Sequence, residues 1–115
     1  MEMKRIEATV HIDKTGAVSE AIKAIVGGFT ILEGNGRGSG QRQTIRAGRG
    51  TGTFIAEFNK VATVSTIVND SDVDKITTAI ADAAFTGNPG DGIIVISSVD
   101  DVINIASKKR GNDAL

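Results

Sequence analysis

The feature that most constrains this chain is a strand followed by a helix, a pattern that occurs twice. Residues 5–12 alternate apolar and polar side chains, and apolar residues then recur at helical spacing from Val18 to Val26. Residues 61–68 are rich in β-branched side chains and precede a second helical stripe, formed by Val73, Ile76, Ile80 and Ala84. Because a further apolar strand follows each helix, the sequence predicts an α+β, ferredoxin-like βαββαβ domain.

The whole chain of 115 residues is expected to form one domain, because neither strand–helix unit could bury its sheet face alone. Asp13 is placed to cap the first helix, and Ser71, with Asp74 three residues later, to cap the second. The run at 92–97 is almost wholly apolar, which predicts a central strand. The polar segment at about 107–115 predicts a flexible tail.

A ribbon rich in glycine and arginine separates the two units, from Gly34 to Gly52. Seven of its nineteen residues are glycine and four are arginine, with no carboxylate. In the βαββαβ plan it extends the hairpin between the second and third strands, over about 34–53, and long aperiodic loops in compact domains are usually functional. A phosphate cradle at 34–38 would lack the helix that such cradles precede. A partner-binding or ligand-sensing loop, a nonspecific nucleic-acid arm and a loop without function remain open.

Composition narrows the classes of function. The net charge is −1, and the chain contains no Cys, Tyr or Trp. The single histidine, His11, is interpreted as a structural strand residue. A Cys or His metal site and base stacking are therefore disfavoured, and no nucleic-acid partner is expected. The carboxylates lie at helix starts and turns and no nucleophile motif occurs, so the chain is not expected to be an enzyme. No signal-peptide core or membrane-length apolar run is present, which predicts a cytoplasmic protein.

Four segments of the chain together resemble those of one known family. FTGNPGDGIIVISSVDDVINI, at 85–105, contains a TGxxGDG turn followed by an apolar strand. MKRIEA at 3–8, Gly28-Phe29-Thr30 with Glu33, and the terminal GNDAL add to it. These segments resemble the PII signal-transduction proteins, a family of nitrogen-regulatory trimers, over nearly the whole chain. The turn with its following strand is the most specific match.

The resemblance implies a homotrimer with nucleotide sites in the clefts between subunits. The ribbon then corresponds to the family's T-loop, which docks onto targets such as an ammonium transporter or a nitrogen-assimilation enzyme, so that membrane contact comes only through a transporter. ATP, ADP and 2-oxoglutarate are the implied effectors, and no metal is expected without the nucleotide. The residues implied for the nucleotide are Thr30, Gly36, Arg37, Gly38, Gly90, Asp91 and Gly92; those for 2-oxoglutarate are Gln41 and Lys60; those for the partner are Arg42, Arg46 and Arg49.

The chain departs from the family where that family contacts its ligands. Ile93 follows the GDG turn in place of Lys, and Asn104 and Ala106 stand in place of two Arg. Charge-assisted hydrogen bonds are worth about 1.5–3 kcal/mol each, so the loss of three predicts a weakened nucleotide site. Alternatively, the site has changed to another small anion, such as bicarbonate or a cyclic dinucleotide.

Other departures concern the loop and the possible replacements for the missing charge. Gln41 is displaced by two positions from the loop-base motif, and Thr63 lies near the place of a common Glu. The chain has no Tyr for uridylylation, and Thr51 or Thr53 lies near that position. The residues that are candidates to replace the missing cations are Arg37, Arg42, Lys108, Lys109 and Arg110.

Overall fold

The computed structural model describes residues 2–38, 44–46, 53–55 and 57–115. This part of the chain forms six strands and two α-helices, in the order β1 Met3–His11, α1 Thr15–Ile22, β2 Thr30–Gly36, β3 Thr44–Arg46, β4 Thr53–Ile55, β5 Asn59–Asn69, α2 Val73–Ala84 and β6 Gly92–Val99. Three short 3-10 helices cover Ile12–Lys14, Asp70–Asp72 and Gly111–Ala114. Both strand–helix units predicted from the periodicity are present.

Four strands form one antiparallel sheet in the order β2-β5-β1-β6. β5 lies between β1 and β2, so a strand of the second unit splits the first strand–helix–strand unit. This interleaving is the ferredoxin-like arrangement and confirms the predicted fold class. β3 and β4 pair as a separate two-stranded sheet between β2 and β5 in the chain, with Ile45 opposite Phe54.

Both helices cover the same face of the sheet. The strand residues on this face are apolar and buried, as the alternation predicts: Ile6, Ala8 and Val10 on β1, and Ala62, Val64 and Val68 on β5. The helix residues that pack onto them are Val18, Ile22, Ile76, Ile80 and Ala84. Thr66 is buried on this face as well, and its hydroxyl donates a hydrogen bond to the Gly28 carbonyl at 2.6 Å. A polar group inside the core is thereby satisfied.

The helices begin later than the sequence signals indicated. α1 starts at Thr15 and α2 at Val73, and no side chain caps either start. Asp13 and Ser71 lie inside the 3-10 turns that precede the helices. The two predicted caps were wrong, because the backbone of each 3-10 turn already supplies the opening hydrogen bond: the amide of Thr15 donates to the Ile12 carbonyl, as that of the first α2 residue does to Asp70.

β6 was predicted to be central, and in the structure it is an edge strand. Among the described strands it pairs with β1 alone. Ile94 packs against the core, whereas Ile93, Val95 and Ile96 are 68%, 47% and 49% exposed. The prediction of a central strand was wrong. An apolar run indicates that a strand is buried, but it does not indicate which element covers the strand. Here one chain covers only part of the strand.

The chain ends in a hairpin followed by a short 3-10 helix. Ile103 bridges to Arg110, and the Asn104 amide donates to the Lys109 carbonyl at 2.9 Å. Ala114 is buried, and its carbonyl accepts a hydrogen bond from Asn104 Nδ2 at 3.2 Å. These contacts join the segment at about 107–115 to residues 103 and 104, and the flexible tail stays a prediction.

Candidate functional site

A recess lies at the end of the sheet where the loop leaves β2. Its volume is about 460 Å³, and we call it the loop-base recess. It is lined by Thr9, Val10, His11, Gly36, Arg37, Gly38, Asn59, Val61, Pro89, Gly90, Gly92 and Ile93. The structure therefore brings together five of the seven residues implied for the nucleotide, from two segments that are far apart in sequence.

The turn before β6 is held in shape by the carboxylate of Asp91. One Asp91 oxygen accepts from the amides of Thr86 at 2.7 Å and Gly87 at 3.1 Å, and the other accepts from the Thr86 hydroxyl. These hydrogen bonds, that of the Thr86 hydroxyl above all, hold the pKa of Asp91 below its usual value. Asp91 lines a neighbouring cavity of about 200 Å³ rather than the loop-base recess. The Asp91 carboxylate therefore stabilises the conformation of the turn by hydrogen bonds inside it.

The two glycines on either side of Asp91 are required by the backbone. Gly90 has φ 96° and Gly92 has φ 127°, a region that side chains rarely adopt. A Cβ on Gly92 would also overlap the carbonyl oxygen of Thr9. The GDG turn is therefore pressed directly against β1, and its bare backbone forms part of the recess wall.

Positive charge in the loop-base recess is limited. Among the described residues that line it, Arg37 is the only Lys or Arg, and its guanidinium lies 3.8 Å from the Glu57 carboxylate. Ile93, where the resemblance implies Lys, contributes an exposed apolar side chain. The recess therefore offers less net positive charge than the family's pattern implies.

His11 is a residue of the recess that sequence reasoning missed. It was interpreted as a structural strand residue, yet it lines the recess as the last residue of β1. In the register of the sheet it lies opposite Val61, which in turn lies opposite Gly34. The signal that could have found it is this position: β1 ends at the same end of the sheet as the loop begins.

Thr30 lies in a second recess, which we call the tail recess. This recess has a volume of about 510 Å³ and includes Asn104 and Leu115 in its lining. Thr30 and Gly36 are the two ends of β2, six residues apart, which corresponds to about 20 Å along a strand. Within one chain six of the seven residues implied for the nucleotide thus fall into two separate recesses, and Asp91 lines the neighbouring cavity.

Asn104 occupies one of the positions where the resemblance implies Arg, and its carboxamide is engaged within the chain. Oδ1 accepts from the amides of Ala106 and Ser107, each at 3.0 Å. Nδ2 donates to the Ala114 carbonyl. Asn104 therefore stabilises the terminal hairpin, and neither it nor Ala106 supplies a cation.

The other implied residues are divided between described and undescribed parts of the chain. Lys60 lies on β5 opposite Asn35, is exposed and lines neither recess. Arg46 is placed by its backbone, on β3 opposite Thr53. The residues that lie outside the described part are Gln41, Arg42, Arg49 and Thr51.

Two further kinds of feature are absent from the part of the chain that the structure describes. None of its helices has the length and apolar character needed to cross a membrane. The same residues contain no cluster of three or more His, Asp or Glu side chains able to hold a metal ion. The polar groups that line the two recesses are backbone groups, Arg37, His11, the carboxamides of Asn59 and Asn104, and hydroxyl groups of Thr and Ser.

Together the fold and the recesses define a small ferredoxin-like domain with a ligand-sized recess at the root of a long loop. Comparison with protein families gives a match over residues 3–109 to the family described as Nitrogen regulatory protein P-II. The chain belongs to this family of nitrogen regulatory signal-transduction proteins, and the resemblance predicted from its motifs is confirmed.

Individual relatives match over almost the entire chain. The Nitrogen regulatory protein P-II of Azospirillum brasilense is 32% identical over 116 residues, covering 98% of this chain and 100% of the relative. Nitrogen regulatory protein P-II 2 of Methanothermobacter thermautotrophicus is 36% identical over 114 residues, covering 98% and 97%. The structure is similar to Arabidopsis thaliana PII bound to citrate, with a TM-score of 0.78, 25% identity, and coverage of 99% and 92%. B. subtilis GlnK, at 22% identity and TM-score 0.77 over 100% of both chains, supports the fold alone.

Proposed function

We propose that this chain forms a homotrimeric, non-enzymatic regulator of nitrogen and carbon metabolism in the cytoplasm, which binds target proteins through the loop at 34–52. The observation that carries the proposal is the loop-base recess, which is lined both by the root of the loop and by the turn at 89–92. A ligand held there contacts the loop at its root, so ligand binding and loop conformation become thermodynamically linked. The proposed targets are ammonium transporters or nitrogen-assimilation enzymes.

Assembly into trimers is supported by the apolar surface that one chain leaves uncovered. Leu32 and Ile93 are 67% and 68% exposed, at the two edges of the open sheet face. Fully burying a side chain of this size is worth about 1.5–3 kcal/mol, so association that covers both edges is favourable. It would also allow the tail recess of one copy, with Thr30, to meet the loop-base recess of the next. Association would then complete the site.

The proposed ligand of the completed cleft is ADP or ATP, with 2-oxoglutarate contacted by Gln41 and Lys60. The turn at 90–92 suits a phosphate, because its left-handed glycines let backbone amides approach a ligand closely. Arg37 adds one cation. The three cations missing from the family's pattern would each contribute about 1.5–3 kcal/mol, incompletely additive, so we expect a dissociation constant of about 0.1 mM rather than micromolar.

A second candidate is a regulator that has exchanged the nucleotide for another small anion, such as bicarbonate or a cyclic dinucleotide. The pairing of Arg37 with Glu57 and the apolar Ile93 favour it, since a recess of low net charge suits a small anion better than a triphosphate. The Arabidopsis PII chain is described as bound to citrate, so a protein of this fold holds a small carboxylate anion.

Three measurements test these proposals. Sedimentation equilibrium is expected to give the mass of three chains, and a monomer would contradict a site formed between subunits. Calorimetry with ATP and ADP is expected to give dissociation constants near 0.1 mM, and micromolar binding would contradict the weakening. A thermal-shift screen that responds to bicarbonate or a cyclic dinucleotide, without a response to either nucleotide, would favour the second candidate.

The link between ligand and loop can be measured with trypsin, which cleaves after Arg and Lys. Saturating ATP is expected to change the cleavage rate at Arg42, Arg46 and Arg49, relative to cleavage at Lys75 on α2, because the bound ligand fixes the root of the loop. The variant Arg37→Gln should reduce the effect at a given ATP concentration. Equal cleavage rates with and without saturating ligand would contradict the link.

A further inference from the structure

The hairpin after β6 contains an unusual backbone conformation. Lys108 has φ 65°, and it is the only non-glycine residue in the described part of the chain with positive φ. Its amide donates to the Asn104 carbonyl at 2.8 Å, so the conformation belongs to the hydrogen-bonded turn. Glycine or asparagine adopts this region at lower cost than lysine does. A long cationic side chain therefore stands where a smaller residue would fit the backbone better.

The three consecutive cations of the hairpin differ in whether they form an ion pair within the described residues. Arg110 donates to the Asp101 carboxylate at 3.0 Å. Lys108 and Lys109 are exposed, and no ion pair joins either of them to a carboxylate within the described residues. Of the three consecutive cations, two are thus left available to a ligand.

The hairpin lies beside the tail recess. Asn104 lines this recess together with Thr30. Its backbone carbonyl accepts a hydrogen bond from the Lys108 amide, and its side-chain oxygen accepts from the amides of Ala106 and Ser107. Neither Asn104 nor Ala106 brings a cation to this recess. Asn104 carries no positive charge itself, but its hydrogen bonds stabilise the turn whose tip contains Lys108 and Lys109.

We propose that Lys108 and Lys109 bind the polyphosphate of a nucleotide, and that they provide part of the positive charge missing at positions 93, 104 and 106. The inference rests on the proposed nucleotide function and identifies the residues that would serve it. It also explains the backbone of Lys108: the unfavourable φ is retained because the ammonium group is used. Asn104 acts as a positioning residue that holds the tip in place.

The inference predicts that stability and ligand affinity change in opposite directions. Lys108→Gly relieves the backbone and removes the charge, so it should raise the unfolding temperature and weaken ATP binding about 10-fold, the effect of one charge-assisted contact. Lys108→Asn should behave similarly. Lys108→Arg should retain the affinity with no gain in stability, and Lys109→Gln should weaken ATP without raising the unfolding temperature. AMP, with fewer phosphates to contact, should lose less affinity than ATP.

Lys75→Gln on α2, which lines neither recess, is the control and should leave ATP affinity unchanged. If the unmodified protein binds ATP and both Lys108→Gly and Lys109→Gln bind it equally well, the inference is wrong and the proposed function stands. If calorimetry detects no binding of ATP or ADP to the unmodified protein, both the inference and the nucleotide part of the proposed function are wrong. A monomer in sedimentation, by contrast, would contradict the proposed assembly and the site formed between subunits, whatever the variants bind.

Discussion

The two faces of the central sheet differ in how far one chain covers them. On the helix-covered face, Ile6 and Ile80 are at most 1% exposed. On the open face, a row across all four strands joins Leu32, Thr63, Thr9 and Ile93. The two threonine hydroxyls in the middle of that row are hydrogen-bonded at 2.9 Å, while the apolar residues at its ends remain exposed. One face is completed by the chain's own helices, and the other leaves large apolar side chains exposed within one chain.

The largest expected effect is on the helix-covered face. Ile80→Ala should lower the free energy of unfolding by about 2–5 kcal/mol, because it leaves a cavity where Ile80 packs among the core residues of α1, α2 and the sheet. Urea unfolding followed by circular dichroism measures it. Leu32→Ala removes a similar volume from the open face and is the control. Equal losses for the two variants at low chain concentration would contradict the distinction between the faces.

The next largest effect is expected at the GDG turn, where the open face meets the loop-base recess. Gly92→Ala should cost about 2–4 kcal/mol, because alanine is strained at φ 127° and its Cβ overlaps the Thr9 carbonyl oxygen. Thermal unfolding measures the loss. Gly16→Ala on α1 is the control: its Cβ meets nothing within 4 Å, and it should stabilise the chain by about 0.5–1 kcal/mol. A neutral Gly92→Ala would show that the turn can shift away from β1.

The periodicity of apolar residues in the sequence correctly predicted the side chains that are buried by contacts within one chain. The alternation of β1 and the stripe of α2 were correct, since the partners of those residues lie in the same chain. β6 was misplaced because its apolar run does not state whether the cover is intramolecular. The meeting of the residues at 36–38 with those at 90–92 followed from the family resemblance, not from spacing. His11 at the recess required the register of the sheet, which no local pattern encodes.

Substitutions on the open face should change the association of chains more than the free energy of unfolding of one chain. Leu32→Ser is expected to raise the concentration at which the trimer half-dissociates by at least about 40-fold, because each of its three chains loses about 1.5–3 kcal/mol of apolar burial. Its unfolding free energy, measured where chains are monomeric, should change by less than about 1 kcal/mol, since Leu32 is 67% exposed there. Analytical ultracentrifugation over a concentration series measures the shift. An unchanged dissociation profile would exclude Leu32 from the interface.

The smallest effect is expected from the titration of Asp91. Its pKa is lowered, chiefly by the Thr86 hydroxyl, so the charged carboxylate stabilises the turn. This stabilisation is fully present above the ordinary aspartate pKa of about 3.9 and is lost as pH falls through the lower folded value. NMR should show the Thr86 and Gly87 amides titrating together with a midpoint below about 3.9.

Asp91→Asn should remove this shared titration, because an amide at 91 carries no charge at any of these pH values. Asp82→Asn on α2 is the control and should leave the titration of both amides unchanged. Near pH 7 the Asp91→Asn variant should bind ATP more weakly than the unmodified protein, because the glycines on either side of position 91 line the loop-base recess and depend on the same hydrogen bonds for their placement. If the two amides of the unmodified protein do not move together, or if Asp91→Asn binds ATP as tightly, the carboxylate does not hold the recess wall in shape.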